Sequence, residues 1–242
     1  MFDPVIDSFR TSISLVLKLL LPVVIVWVMY AFLGFVTGDI ANGIRGANPW
    51  LFVSGQFIAG ALGIVILSCF FFQIPDTNPI GRIKSSWQIA AVALLGMIII
   101  KVLVDEIFPS QQFQALSAGG IFWGVVFRIL AIVNILYAYE LVKLKLETGA
   151  YQFGDAAKKL ADLVLRNVPS ALLLALGLFL IQIALTMLAR SLGSDSISRL
   201  FFTVSVFGAG FWVWEAVVLL AYRTRILEES PAKSITPTDD EN

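Results

Sequence analysis

The feature that most constrains the fold of this chain is an apolar run from Gly119 to Leu141 with an arginine near its middle. The run is long enough to cross a bilayer as an α-helix, because about 20 apolar residues cover the hydrocarbon core. A charged side chain at the bilayer centre costs about 2.5–3.5 kcal/mol on insertion scales. Arg128 therefore predicts that another apolar segment supplies a polar or charged partner.

Similar apolar runs recur along the chain, which is 58% apolar and 14% charged. Typical soluble domains are about 45–50% apolar and about 25% charged. We therefore predict an all-α polytopic membrane helical bundle, with six transmembrane helices in one domain over residues 1–225. The spans are predicted at about residues 14–37, 50–73, 87–108, 119–141, 169–189 and 200–222. The polar tail, residues 226–242, is predicted to be disordered.

The basic residues are unevenly divided between the two sides of such a bundle. Of the 17 lysines and arginines, Lys101 and Arg128 lie within spans, and Arg45, Arg190 and Arg199 lie in the outer loops. The other twelve fall on the inner side if the N-terminus is inside. The positive-inside rule then predicts that both termini are cytoplasmic.

Three amphipathic stretches precede the three outward-going hairpins, and we expect them to form interfacial helices. They read VIDSFRTSISLVLK, IGRIKSSWQ and AAKKLADLVLRNVPS. The predicted apolar face of the first consists of Val5, Ile6, Phe9, Ile13 and Val16, and that of the third of Ala157, Leu160, Ala161, Val164 and Val168. The third either shields helix ends or docks anionic lipid or a partner. Pro22 is expected to kink the first span.

This layout, with YQFGDAAKKLADLVLRNVPSALLLALG before the fifth span and AYRTR after the last, resembles the YciC-like group of six-span bacterial membrane proteins. The resemblance covers the C-terminal half best and includes no catalytic motif. It implies a location in the membrane, which we take to be the bacterial inner membrane, and no particular activity.

Five polar residues inside the spans form the candidate intramembrane cluster: Lys101, Asp105, Arg128, Asn134 and Glu215. Lys101 and Asp105 share a helix face, so Lys101 can turn outward to Asp105 while Arg128 extends to the outer headgroups. Alternatively, Lys101, Arg128 and Asn134 line a pocket that accepts an anionic group. We expect Glu215 to pair with Arg128 rather than relay protons, although their depths differ by about 9 Å.

Small residues repeat every four positions in the second span, at Gly55, Ala59 and Gly63. Such a stripe lets another helix approach closely. It is either an internal helix-packing face or a surface for homodimerisation. The GxxxG spacings at residues 34–38 and 120–124 have the same two possible roles, internal helix packing or homodimerisation.

Several kinds of chemistry are excluded by composition, because the chain has no histidine and one cysteine, Cys69. His-dependent catalysis, HExxH zinc sites and an intrachain disulfide are therefore impossible. The sequence also lacks a phosphate-binding glycine loop and an aromatic-interleaved basic patch. We predict no catalytic residue, no metal, no cofactor and no nucleic-acid partner.

Three functions stay open. The first is a non-catalytic accessory, assembly or envelope-maintenance component, whose partners are membrane lipid and either a second copy or another membrane protein. The second is a transporter or channel for a small anion that uses Lys101, Arg128 and Glu215. The third is a lipid-modifying enzyme with Lys101 or Glu215 as the acid–base group.

Overall fold

The computed structural model describes residues 3–43, 49–72, 78–107, 118–191 and 208–229, and every regular element in these ranges is helical. The all-α prediction is thus confirmed for the described residues. The helices are α1 (Asp3–Lys18), α2 (Leu20–Gly43), α3 (Pro49–Phe71), α4 (Pro79–Ser86), α5 (Gln88–Ile107), α6 (Ala118–Thr148), α7 (Phe153–Arg166), α8 (Val168–Ser191) and α9 (Gly210–Glu229). Their packed core lies between α3, α5, α6, α8 and α9.

Four of the described helices are long and apolar enough to cross a membrane, namely α2, α3, α6 and α8. The count rises to five if α4 and α5, which meet at an angle of 55°, form one broken span. The start of the predicted sixth span, residues 200–207, lies outside the described residues. Residues 210–222 of that span are part of α9.

A short helix is followed by a long one at three places in the chain, with one residue between them. These junction residues are Leu19, Trp87 and Asn167. Pro22 and Pro169 lie in the first turn of the long helix that follows, where a missing backbone N–H breaks no hydrogen bond within that helix. The break before the first long helix is therefore at Leu19. This break lies within the predicted first span, three residues before Pro22, whose missing N–H leaves the Lys18 carbonyl oxygen without its usual helical donor.

Helices α6 and α9 both run further than the sequence predicts. Helix α6 continues to Thr148, beyond the predicted span end at Leu141, and it stops before Gly149, whose φ is 75°. Glycine adopts this left-handed conformation without steric cost, so it commonly ends helices. Helix α9 extends to Glu229 because Ile226 packs into the core. The prediction of disorder is therefore wrong for residues 226–229, which belong to α9. Residues 230–242 lie outside the described part.

Helix α1 packs against α9, with Phe9 stacked on Trp214 at 5.6 Å and with two serines among its buried residues. Ser8 and Ser12 are fully buried, whereas Ile13 and Leu17 are 65% and 69% exposed. The predicted apolar face is therefore confirmed at Val5 and Phe9, which pack against the core, and wrong at Ile6 and Ile13, which are exposed. Lipid chains solvate large apolar side chains, while small residues allow helices to approach closely. This distribution is the one expected for a helix that lies among acyl chains.

The stripe of Gly55, Ala59 and Gly63 is buried inside the bundle. A Cβ atom on Gly55 would lie 2.6 Å from Thr37 Cγ2, and one on Gly63 would lie 2.6 Å from Val26 Cγ1. Both neighbours belong to α2. The stripe is therefore an internal packing face between α2 and α3, and it is not exposed for homodimerisation.

Replacing Gly55 with alanine is expected to lower the free energy of unfolding by about 1–3 kcal/mol, the usual cost of overpacking. The added methyl would also overlap the backbone oxygen of Leu33, which cannot move without shifting α2. Unfolding by denaturing detergent in micelles measures the change. Gly154→Ala is the matched control, because no atom lies within 4 Å of its added Cβ, and it should be neutral or slightly stabilising. Equal stability of the two variants would contradict the α2–α3 contact.

Candidate functional site

Five helices, α2, α3, α5, α6 and α9, border a cavity of about 230 Å³. Its polar lining consists of Tyr30, Gln56, Lys101, Arg128, Asn134 and Glu215. The remaining walls are apolar and include the side chains of Phe57, Met97, Ile100 and Trp212. The structure therefore brings together four of the five residues of the predicted polar cluster. The fifth, Asp105, belongs to α5, but its side chain lies outside the described part, so its pairing with Lys101 stays a prediction.

Arg128 and Glu215 form an ion pair at the wall of this cavity. Arg128 Nη1 lies 3.1 Å from Glu215 Oε1, and the two side chains are only 12% and 2% exposed. The pairing predicted from the sequence is therefore present. Because breaking a buried ion pair leaves an uncompensated charge, this contact is important for holding α6 against α9.

The register between α6 and α9 explains how the two side chains meet. Glu140 of α6 pairs with Arg223 of α9, which is 83 positions later in the chain. The same separation of 83 positions places Arg128 of α6 level with residue 211 of α9. The contact between Arg128 and Phe211 agrees, since the guanidinium carbon lies 5.3 Å from the ring centre. Glu215 is thus one turn away, a rise of about 6 Å. Two long side chains cover that distance, which is shorter than the 9 Å expected from span boundaries.

The Arg128–Glu215 pair is incompletely satisfied. Arg128 Nε and Arg128 Nη2 are buried and have no hydrogen-bond partner among the described residues, and Glu215 Oε1 has only its 3.1 Å contact with Arg128 Nη1. A buried polar group without a partner costs about 1–3 kcal/mol, and a charged one costs more. The adjoining cavity offers room for a polar molecule that would supply the missing partners.

Asn134 ties α6 to α5 at another wall of the cavity. Its Nδ2 donates a hydrogen bond of 3.0 Å to the carbonyl oxygen of Ala93. A side chain at Gly96 would overlap the Asn134 amide, so the glycine is needed for this close approach. Asn134 therefore has a structural role, and the charged groups of the cavity are Lys101, Arg128 and Glu215.

A second buried ion pair, between Glu140 and Arg223, joins α6 to α9. These residues are 3% and 4% exposed. Arg223 lies over the ring of Phe72 at 4.9 Å, and Arg82 Nη1 donates to the Phe72 carbonyl oxygen at 3.0 Å. Both arginines therefore converge on the C-terminal end of α3, where the helix dipole favours positive charge.

Sequence reasoning missed this inner cluster because it assigned Arg82 and Arg223 to solvated inner segments. The available signal was Glu140, a carboxylate at the end of an apolar run that required a cation at the same depth. Two buried tyrosines strengthen the same region. Tyr139 donates to the Ala216 carbonyl oxygen at 2.8 Å, and the Tyr222 hydroxyl lies 3.0 Å from Ser170 Oγ.

The described residues contain no group of three or more Cys, Asp or Glu side chains placed to hold a metal ion. Comparison of the chain with protein-family models, curated proteins and solved structures finds no match. The resemblance to the YciC-like group stays a prediction. The fold and the site define an all-α protein with several helices suited to a membrane and a charged cavity between them.

Proposed function

We propose that this protein is a non-catalytic component of the bacterial inner membrane that binds a small organic anion in the cavity bordered by Lys101 and Arg128. In this proposal the chain crosses the membrane six times and has both termini in the cytoplasm. Membrane lipid surrounds it, and association with a second copy or another membrane protein is part of its accessory role.

The charges of α9 are compatible with the sixth crossing. Glu215 pairs with Arg128, and Arg223 pairs with Glu140, so these two charged residues of α9 face α6. Ionisable residues within spans almost always face the bundle interior and pair with one another. The excess of basic residues on one side of the six predicted spans supports the cytoplasmic termini.

The composition of the cavity lining is the observation that carries the proposed ligand class. Lys101 borders the same cavity as the Arg128–Glu215 pair, so the lining carries two cations and one carboxylate. The two buried N–H groups of Arg128 that lack a hydrogen-bond partner among the described residues favour an anionic acceptor, and the apolar walls favour a ligand with an apolar part. The volume of about 230 Å³ is below the 300–1,000 Å³ typical of drug-sized ligands. A small aromatic or aliphatic carboxylate fits both the charge and the size.

Lys101→Met is expected to weaken the binding of benzoate at least tenfold, because it removes a cation and keeps an apolar side chain of similar length. Isothermal titration calorimetry of the protein in nanodiscs measures the affinity, with benzamide as the uncharged probe. Lys101→Arg is the matched control and should retain binding. If benzoate binds no better than benzamide, or if Lys101→Met binds it as well as the unchanged protein, the anion site is wrong.

Transport of the anion is the second candidate, since ionisable residues within a membrane often mark a pathway. The cavity at the centre of five helices is the observation that favours it. Uptake of labelled benzoate into proteoliposomes separates the two functions. Flux that Lys101→Met abolishes would assign a transporter, whereas binding without flux would assign an accessory protein.

A further inference from the structure

Helix α7 has three distinct faces, and one of them is apolar and exposed. Its buried face consists of Ala156, Leu160 and Leu163. At 100° per residue, a second face of α7 carries Phe153, Ala157, Ala161 and Leu165, and the first residue of α8, Val168, follows after the junction. All five of these residues are exposed, with Leu165 at 72%. We call these five residues the apolar stripe.

The sequence-based interpretation of α7 joined the buried and exposed apolar faces into one. Ala157 and Ala161 are exposed, contrary to that prediction, while Ala156 and Leu163 face the bundle. The third face is charged and exposed, with Asp155, Lys158, Lys159, Asp162 and Arg166. A helix that touches protein, hydrocarbon and water needs three such faces.

The position of α7 in the chain indicates what covers the apolar stripe. A single residue, Asn167, separates α7 from α8, which is long and apolar enough to cross a membrane from Val168. The C-terminal end of α7 is therefore at the bilayer boundary if α8 crosses. At that boundary, apolar side chains enter the acyl region and basic side chains meet the lipid phosphates.

Helix α4 extends the same surface. Ile80 and Trp87 are 77% and 57% exposed, and Lys84 is exposed between them. The Tyr151 hydroxyl donates to the Ser85 carbonyl oxygen at 3.0 Å, and its ring stacks on Phe153 at 6.1 Å. These contacts fix the start of α7 beside α4.

The exposed charges of α4 and α7 favour an anionic bilayer over a neutral one. The exposed cations of the two helices are Lys84, Lys158, Lys159 and Arg166, and the exposed carboxylates of α7 are Asp155 and Asp162. The charge of this surface is therefore positive. Each basic residue near an anionic membrane surface strengthens binding about fivefold.

We propose that α4 and α7 together form a docking surface for anionic phospholipid, in which the apolar stripe enters the acyl boundary and Lys84, Lys158 and Arg166 contact lipid phosphates. The surface is separate from the central cavity, because none of its residues lines that cavity. It gives the protein a preference for anionic lipid that is independent of any ligand of Lys101 and Arg128.

The first test measures the lipid that stays bound. The protein is equilibrated with equal amounts of phosphatidylglycerol and phosphatidylcholine, and the retained lipid is counted by native mass spectrometry. Phosphatidylglycerol should be enriched on the unchanged protein. The triple variant Lys84→Gln, Lys158→Gln and Arg166→Gln should reduce this enrichment at least fivefold. The double variant Asp155→Asn and Asp162→Asn should increase it. Removing the same number of charges at Arg45, Arg190 and Arg199, in the predicted outer loops, should leave it unchanged. Equal losses in both triple variants, or no enrichment, would overturn the proposal.

The second test measures the depth of the apolar stripe. Single cysteines at Leu165 and Asp162, on a Cys69→Ala background, carry a nitroxide label in anionic nanodiscs. The label at Leu165 should be reached by oxygen and shielded from a water-soluble nickel reagent, and the label at Asp162 should show the reverse. Shielding of Leu165 from both reagents, or a disulfide between two copies at Leu165, would show that protein covers the stripe. Access of the nickel reagent to the label at Leu165 would show that water covers the stripe. Coverage by protein or by water would overturn the proposal.

Discussion

Arg128→Met is expected to lower the free energy of unfolding by about 3–5 kcal/mol, because it leaves the Glu215 carboxylate buried without its cation. The loss should be much larger than for an exposed charge, since Glu215 is only 2% exposed. Reversible unfolding in mixed micelles of mild and denaturing detergent measures it.

The double variant Arg128→Met with Glu215→Met is expected to regain most of this loss, because replacing both members of a buried pair by apolar residues is often neutral or stabilising. The charge swap Arg128→Glu with Glu215→Arg should likewise be more stable than either of its single changes. A double-mutant cycle with a coupling energy near zero would show that the two residues do not stabilise each other.

Glu140→Gln is expected to have a similar effect, about 3–5 kcal/mol, through the inner cluster. Arg223 would lose its carboxylate while it stays buried over Phe72, and Arg82 contributes a second cation nearby. The same unfolding experiment measures the change, and the cycle with Arg223→Met gives the coupling energy.

The Lys143–Glu147 pair on α6 provides the comparison for Glu140 and Arg223. It has an N–O distance of 3.6 Å, but both side chains are partly exposed, and such helical pairs contribute about 0.3–0.5 kcal/mol. We therefore expect the cycle at Lys143 and Glu147 to give a coupling energy several times smaller. Equal coupling energies would contradict the structural difference between the buried and the exposed pair.

The sequence alone predicts the Arg128–Glu215 contact because both residues interrupt apolar runs. Hydrocarbon offers no partner to a charge, so two opposite charges in separate spans are expected to meet. The same reasoning failed for Glu140 and Arg223, because they are near predicted span ends where water is an alternative partner. The structure removes that alternative by burying both side chains.

The faces of α1 and α7 could not be predicted from periodicity. Periodicity separates apolar from polar positions, but in a bilayer an apolar side chain is equally stable against lipid and against protein. In α1, Ser8 and Ser12 are buried together with Val5, whereas the apolar Ile13 is exposed. The small-residue stripe of α3 illustrates the same limit, since its spacing indicates a contact and only the fold shows that α2 makes it.

Structure determination in a lipid nanodisc, at a resolution that shows side chains, tests the central account most directly. The account predicts that Arg128 and Glu215 touch each other inside the bundle, beside the cavity that Lys101 borders, while Ile13, Leu17 and the apolar helix surfaces meet acyl chains. Arg128 and Glu215 directed separately at lipid with no polar neighbour, or a chain with fewer than six crossings, would contradict it.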